Sequence, residues 1–123
     1  MIMTLIDTNV ILRYLLNDIE EQADKAANVI ENGAFTLPEI IAEVVYVLYR
    51  LYSVPREKMH EIVSPILNEV SIDNYDVIEE ALSVYSKSKF DFVDCIVLAR
   101  NEILRENVFT FDKKLANRLK LEG

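Results

Sequence analysis

Apolar residues along the chain fall into two rhythms: short unbroken runs, and longer stretches where they recur every three or four positions. The first suits buried strands and the second amphipathic helices. Met3-Thr4-Leu5-Ile6 is a run of the first kind, closed by Asp7-Thr8-Asn9. A helical pattern follows through Val10, Ile11, Leu12, Leu15 and Leu16 and fades at Asn17-Asp18. Asp18 and Glu21 have capping-box spacing for a second helix, Ile19 to Asn32, with Ala23, Ala26, Ala27 and Ile30 inward. Asn32-Gly33 ends it, and Ala34-Phe35-Thr36-Leu37 is a second strand. Pro38 suits the first turn of a third helix running to about Tyr52. Its apolar face includes Ile40, Ile41, Val44, Val45, Val47, Leu48 and Leu51; Glu43 sits at the border, and Tyr46, Tyr49 and Tyr52 occupy another flank.

Ser53-Val54-Pro55 opens a fourth helix through Met59, Ile62, Val63, Ile66 and Leu67, which Pro65 should kink or split because it lacks an amide donor. Val70-Ser71-Ile72 is a weak third strand, and Asn74 and Asp76 are caps for a fifth helix through Val77, Ile78, Ala81, Leu82 and Tyr85. After the polar link Lys87-Ser88-Lys89-Phe90, a sixth helix from Phe92 is apolar nearly all round, the mark of a buried helix. Asp94 in its first turn is favoured by the helix dipole but not by burial, so a partner is expected. Val108-Phe109-Thr110-Phe111 reads as a fourth strand ended by Asp112, with a last helix from Lys113 to Leu119. Strands alternating with helices predict an α/β fold, three-layer α/β/α around a mostly parallel sheet.

Length and composition fit that outline. A chain of 123 residues predicts a single domain, 1–123, and only 2 Gly and 3 Pro favour long helices over loops. No run approaches a membrane span and no leader-like segment opens the chain, so a soluble, cytoplasmic protein is expected. The lone Cys95 excludes an internal disulfide and a Cys-cluster metal site, and is expected in the core. His60, the only histidine, lies among charged residues and is expected at the surface. A net charge of −8 argues against whole-surface binding of nucleic acid. It leaves room for an acidic pocket whose sign a metal ion inverts.

In a parallel sheet the strand-to-helix turns share one edge, where such folds place ligands. Asp7 and Asp112 each close a strand, Asp94 opens a helix, and Glu43 lies little more than a turn into another. Each has a local explanation: Asp7 and Asp112 as N-caps, Asp94 as a helix-terminus acid, Glu43 as an amphipathic border residue. Taken together, four carboxylates at one edge cannot all stay ionised without a counter-ion. An all-oxygen set favours Mg²⁺ or Mn²⁺ over Zn²⁺.

The same residues carry a resemblance. Ile6-Asp7-Thr8-Asn9-Val10, Glu43 before Val44-Val45-Tyr46-Val47-Leu48, Asp91-Phe92-Val93-Asp94-Cys95 through Ala99, and Thr110-Phe111-Asp112 resemble, in order and spacing, the motifs of the PIN-domain family. The likeness is to its VapC-like toxin ribonucleases of toxin–antitoxin pairs. It implies a metal-dependent endoribonuclease in which Asp7, Glu43, Asp94 and Asp112 hold Mg²⁺ or Mn²⁺, supported by Thr8, Asn9, Asp91 and Thr110. It also implies an RNA substrate, a small antitoxin protein and a homodimer; Tyr46, Tyr49 and Tyr52 are the flank for that pairing. Arg13, Lys87, Lys89, Lys113 and Lys114 are candidate RNA contacts around the acidic edge. Two departures stand out: Lys113-Lys114 where many relatives have a further acid, and little chain after the last helix for a closing strand. The sheet is therefore expected to have four strands or five. Two rivals stand beside this: a haloacid-dehalogenase-like phosphatase with Asp7 as nucleophile, which would want an acid where Asn9 stands, and a non-catalytic binding module on the same fold.

Overall fold

The computed structural model describes residues 2–122. Its elements are β1 (Thr4–Leu5), α1 (Thr8–Leu16), α2 (Glu20–Glu31), β2 (Ala34–Thr36), α3 (Pro38–Leu51), α4 (Arg56–Glu69), β3 (Ser71–Ile72), α5 (Tyr75–Lys87), α6 (Phe92–Leu104) and α7 (Lys113–Glu122). The strands form one parallel sheet in the order β1-β2-β3, with Thr4 opposite Ala34 and Phe35 opposite Ser71. Each connection between neighbours runs through two helices, as parallel pairing requires a crossover. The central strand β2 buries Ala34 and Thr36. The Thr36 hydroxyl donates to the Ile6 carbonyl at 3.0 Å, satisfying a buried polar group and holding the end of β1 to β2.

The core gathers Ile11 and Leu12 of α1, Ile41, Val44, Val45 and Leu48 of α3, Met59, Val63 and Ile66 of α4, and Ile78, Ala81 and Leu82 of α5. Helix α5 packs against both α4 and α6, while α3 meets α1, α4 and α6. Among the described residues no helix is long and apolar enough to cross a membrane.

Several local expectations give way to tertiary contacts. The expected strand Val108–Phe111 finds no ladder partner among the described residues: residues 105–112 connect α6 to α7 outside the sheet, so the described sheet has three strands, not four or five. Phe109 and Phe111 do alternate as strand residues should, but they are 83% and 90% exposed and pack edge to face on each other. Helix α6 is not buried all round. It buries Phe92, Cys95, Leu98 and Ala99, one face at helical spacing, and leaves Val93 61% exposed. Pro65 does not split α4, which continues through it; the residue is exposed, so the carbonyl it leaves unbonded can face water. The Asp18–Glu21 capping box does not form, because the Asp18 carboxylate is taken by Arg13 at 2.9 Å and Ile19 stands at the N-cap. Asn74 is the N-cap of α5 in a left-handed conformation, without a side-chain capping bond. Helix α7 runs on to Glu122, and Gly123 lies outside the described residues.

Candidate functional site

The strand-to-helix turn after β1 places Asp7 as the N-cap of α1, where its Oδ1 accepts from the Val10 amide at 3.2 Å. Asp112 does the same for α7, accepting from the Leu115 amide at 2.9 Å, while its own amide donates to the Thr110 hydroxyl at 3.0 Å. Both capping roles expected from local sequence are therefore filled. Each uses one carboxylate oxygen and fixes the side chain that carries the other. Both acids are exposed.

Asp91 is the N-cap of α6 and Asp94 lies in its first turn. Their position depends on Arg56 of α4, whose guanidinium lies 3.8 Å over the Tyr85 ring and donates to the carbonyls of Tyr85 and Phe90. That clasp ties the end of α5 to the turn from which α6 starts. Asp94 is half-buried and makes no hydrogen bond among the described residues, so the partner expected for it is not found among them. Burial first, then the charges of Asp91 and Asp112, raise its carboxyl above the usual carboxylate range. Asp94 thus sits within reach of the charges of Asp91, on its own helix, and of Asp112, in the turn into α7.

Asp91 and Asp94 open onto a cavity of about 440 Å³, whose other wall is α3, with Ala42, Val45, Tyr46, Tyr49 and Arg50. Glu43 is exposed on the same helix. Among the described residues no group of three or more His, Cys, Asp and Glu side chains is gathered closely enough to hold a metal ion. The donor chemistry nonetheless suits a hard cation: the acids offer carboxylate oxygens alone, and Asp94 carries a like-charge burden that a cation would reverse.

The candidate basic residues divide. Lys89 and Lys114 line a cavity of about 400 Å³ with Phe90, Asn117 and Arg118, and the Arg118 guanidinium lies 5.9 Å from the Phe90 ring centre. Lys87 and Lys113 are exposed. Arg13, expected on an RNA-facing rim, belongs to neither group and makes its contacts inside the chain. It is 9% exposed, paired with Asp18 and donating to the Tyr52 hydroxyl at 3.0 Å. Helical spacing from Asp7 could not reveal that, because both partners lie beyond α1. The Tyr52 hydroxyl is spent on this contact, which leaves Tyr46 and Tyr49 as the unengaged part of the tyrosine flank. The tyrosine flank was legible in the sequence; that Tyr46 and Tyr49 share a cavity with Arg50, Asp91 and Asp94 was not.

Cys95, directly after Asp94, is fully buried, and burial pushes its thiol up to about 11, which leaves it a core residue and not a nucleophile. His60 is half-buried, bonded to Glu79 Oε1 at 2.5 Å, with the Ser64 hydroxyl on the other oxygen of that carboxylate at 2.8 Å. This polar cluster joins α4 to α5.

Residues 4–120 match the PIN domain family, and the chain belongs to that family. A curated relative, the VapC ribonuclease of Aquifex aeolicus (strain VF5), is 33% identical over 102 residues, covering 76% of this chain and 75% of the relative. The chain is a VapC-like PIN domain. No solved structure matches it. Neither the phosphatase reading nor that of a non-catalytic module draws support from these relatives.

Proposed function

We propose that the chain is an endoribonuclease, the toxin component of a toxin–antitoxin pair, that hydrolyses RNA phosphodiester bonds with the help of Mg²⁺ or Mn²⁺. The observation that carries this is Asp94: half-buried, without a hydrogen-bond partner among the described residues, and raised by burial and by Asp91 and Asp112. Such a carboxyl belongs to a site built for a cation or a proton, and a chain of this family, similar to a ribonuclease, favours the cation.

Asp7, Glu43, Asp94 and Asp112 are the residues that would hold the metal. Held there, Mg²⁺ or Mn²⁺ would supply an acidified water and positive charge for the scissile phosphate and leaving oxygen. The chain's own contribution is positioning. Capping bonds hold Asp7 and Asp112 by one oxygen each, and the Thr110 hydroxyl fixes the turn before Asp112. Thr8, Asn9 and Asp91 flank these acids in sequence and support them. Lys87, Lys89, Lys113 and Lys114 give positive charge for phosphates in a chain of net charge −8. A small antitoxin protein and a second copy of the chain are the implied protein partners.

The test is cleavage of mixed RNA and mixed DNA by wild type, Asp7→Asn and Asp94→Asn, with Mg²⁺, Mn²⁺ or EDTA. Wild type should cleave RNA only with metal, and each variant should lose on the order of a hundredfold or more in rate. Normal cleavage by both variants, or undiminished cleavage in EDTA, would place the chemistry elsewhere.

A further inference from the structure

We propose that Tyr46 and Tyr49 form a stacking platform for an unpaired base of the substrate strand beside the acids, and that Arg50 takes the phosphate beyond that base. The direction of the strand rests on the nuclease function proposed above; the stacking itself does not.

Glu43, Tyr46 and Arg50 stand at i, i+3 and i+7 on α3, so they share one side of the helix, and Tyr49 stands one turn beyond Tyr46. At a rise of 1.5 Å per residue, Tyr46 lies about 4.5 Å and Arg50 about 10 Å along the axis from Glu43. All four side chains are exposed. Tyr46, Tyr49 and Arg50 also line the cavity of about 440 Å³ that Asp91, Val93 and Asp94 close from α6. The platform therefore faces Asp91 and Asp94 across one cleft.

Three observations separate this face from ordinary surface. Tyr46 and Tyr49 are 62% and 45% exposed, and among the described residues neither hydroxyl is hydrogen-bonded and neither ring is stacked. Tyr52, the third member of the flank, is engaged by Arg13, so the open rings are those at the cleft. Among the described residues Arg50 makes no ion pair, although Asp91 and Asp94 line the same cavity. Open aromatic faces beside an unspent guanidinium are the means by which proteins hold single-stranded nucleic acid, whose unpaired bases offer a π-face while the phosphates seek cations. A duplex hides those faces. A second copy of the chain, the partner implied above, fits this face less well than another, because a two-fold contact here would set its own Asp91 and Asp94 against this pair.

The probe is a labelled single-stranded RNA of about twelve nucleotides, mixed in sequence, with binding read by fluorescence anisotropy in EDTA. The same RNA annealed to its complement is the control. Replacing both rings, Tyr46→Ala with Tyr49→Ala, should weaken single-strand binding about ten- to a hundredfold and duplex binding far less. The Phe pair, Tyr46→Phe with Tyr49→Phe, should stay within about twofold of wild type, because the ring and not the hydroxyl does the stacking. Arg50→Ala should lower the salt slope by about 0.7, one phosphate's worth. With Mn²⁺ present, the Ala pair should raise KM and leave kcat nearly unchanged. Single-strand binding that survives the Ala pair overturns the platform, as does a Phe pair as weak as the Ala pair. So does sedimentation showing that the Ala pair only splits a dimer while each chain binds RNA as before; the face then belongs to a second copy. The two proposals fail separately: Asp94→Asn that still cleaves sinks the assignment of the acids, while an Ala pair that still binds sinks the platform.

Discussion

Asp94 holds its proton more tightly in the folded chain than an ordinary aspartate does, because of burial and then of Asp91 and Asp112. The sign of its effect on stability follows. Below the ordinary carboxylate range it is protonated in both states and has no effect. As pH rises the unfolded chain releases the proton first, so stability falls until the raised folded pKa has been passed, and the loss is then complete. Asp94→Asn lacks this dependence. In EDTA the variant should melt above wild type at neutral pH, and the gap should close as pH is lowered below about 4. Thermal melts of both proteins across pH 3 to 8 check this; a gap that does not change with pH would mean that the carboxyl's charge is not what costs stability. In the presence of Mn²⁺ the order should reverse, since a cation bound only by the native cluster stabilises it.

At the scale of elements, the clasp around Arg13 joins α1 to the turn before α2 and to the end of α3. Its guanidinium is mostly buried, and Nε has no hydrogen-bond partner, so the contact is not perfectly satisfied. Removing it still leaves Asp18 and Tyr52 without their donor. Arg13→Ala is expected to lower stability by about 2–3 kcal/mol, read by urea unfolding, the usual worth of hydrogen bonds to a charged group. RNA affinity of the folded fraction should not change. A stable variant that binds RNA weakly would return Arg13 to the contact surface. Arg56 acts in the same way between α4, α5 and the turn before α6: by tying Tyr85 and Phe90 together it sets where α6 begins, and with it the direction of Asp91 and Asp94.

Across the whole molecule, negative charge is in excess, and positive charge for an RNA strand must be local. Lys89, Lys114 and Arg118 share one cavity at the junction of the turn before α6 with α7, and Lys113 is next to them in sequence. Lys113→Ala with Lys114→Ala should reduce the slope of log affinity against log salt by about 1.4, the release of two counterions from a single strand. Anisotropy titrations at several salt concentrations read the slope directly, and an unchanged slope would remove both lysines from the path of the RNA.

The sequence by itself determined the succession of helices and the three paired strands, because helical periodicity, Pro at a helix start and Asp at an N-cap act within a turn or two of chain. Asp7 and Asp112 are legible for that reason: each caps the helix that its own neighbours begin. Charge and residue order also pointed to carboxylates at the edge of the sheet, and the charge of Asp112 contributes to the raised carboxyl of Asp94. Tertiary structure alone decided what each exposed or border residue meets. The alternation of Phe109 and Phe111 names a strand but cannot supply a partner for it. The apolar excess of α6 predicts burial but not which face neighbours will cover. Arg13 looked available until Asp18 and Tyr52 closed on it, and the tyrosine flank of α3 acquired a use only when α6 brought Asp91 and Asp94 to the same cleft. A side chain's periodicity specifies its direction on its own element; the group waiting in that direction comes from a distant part of the chain, and only folding brings it there.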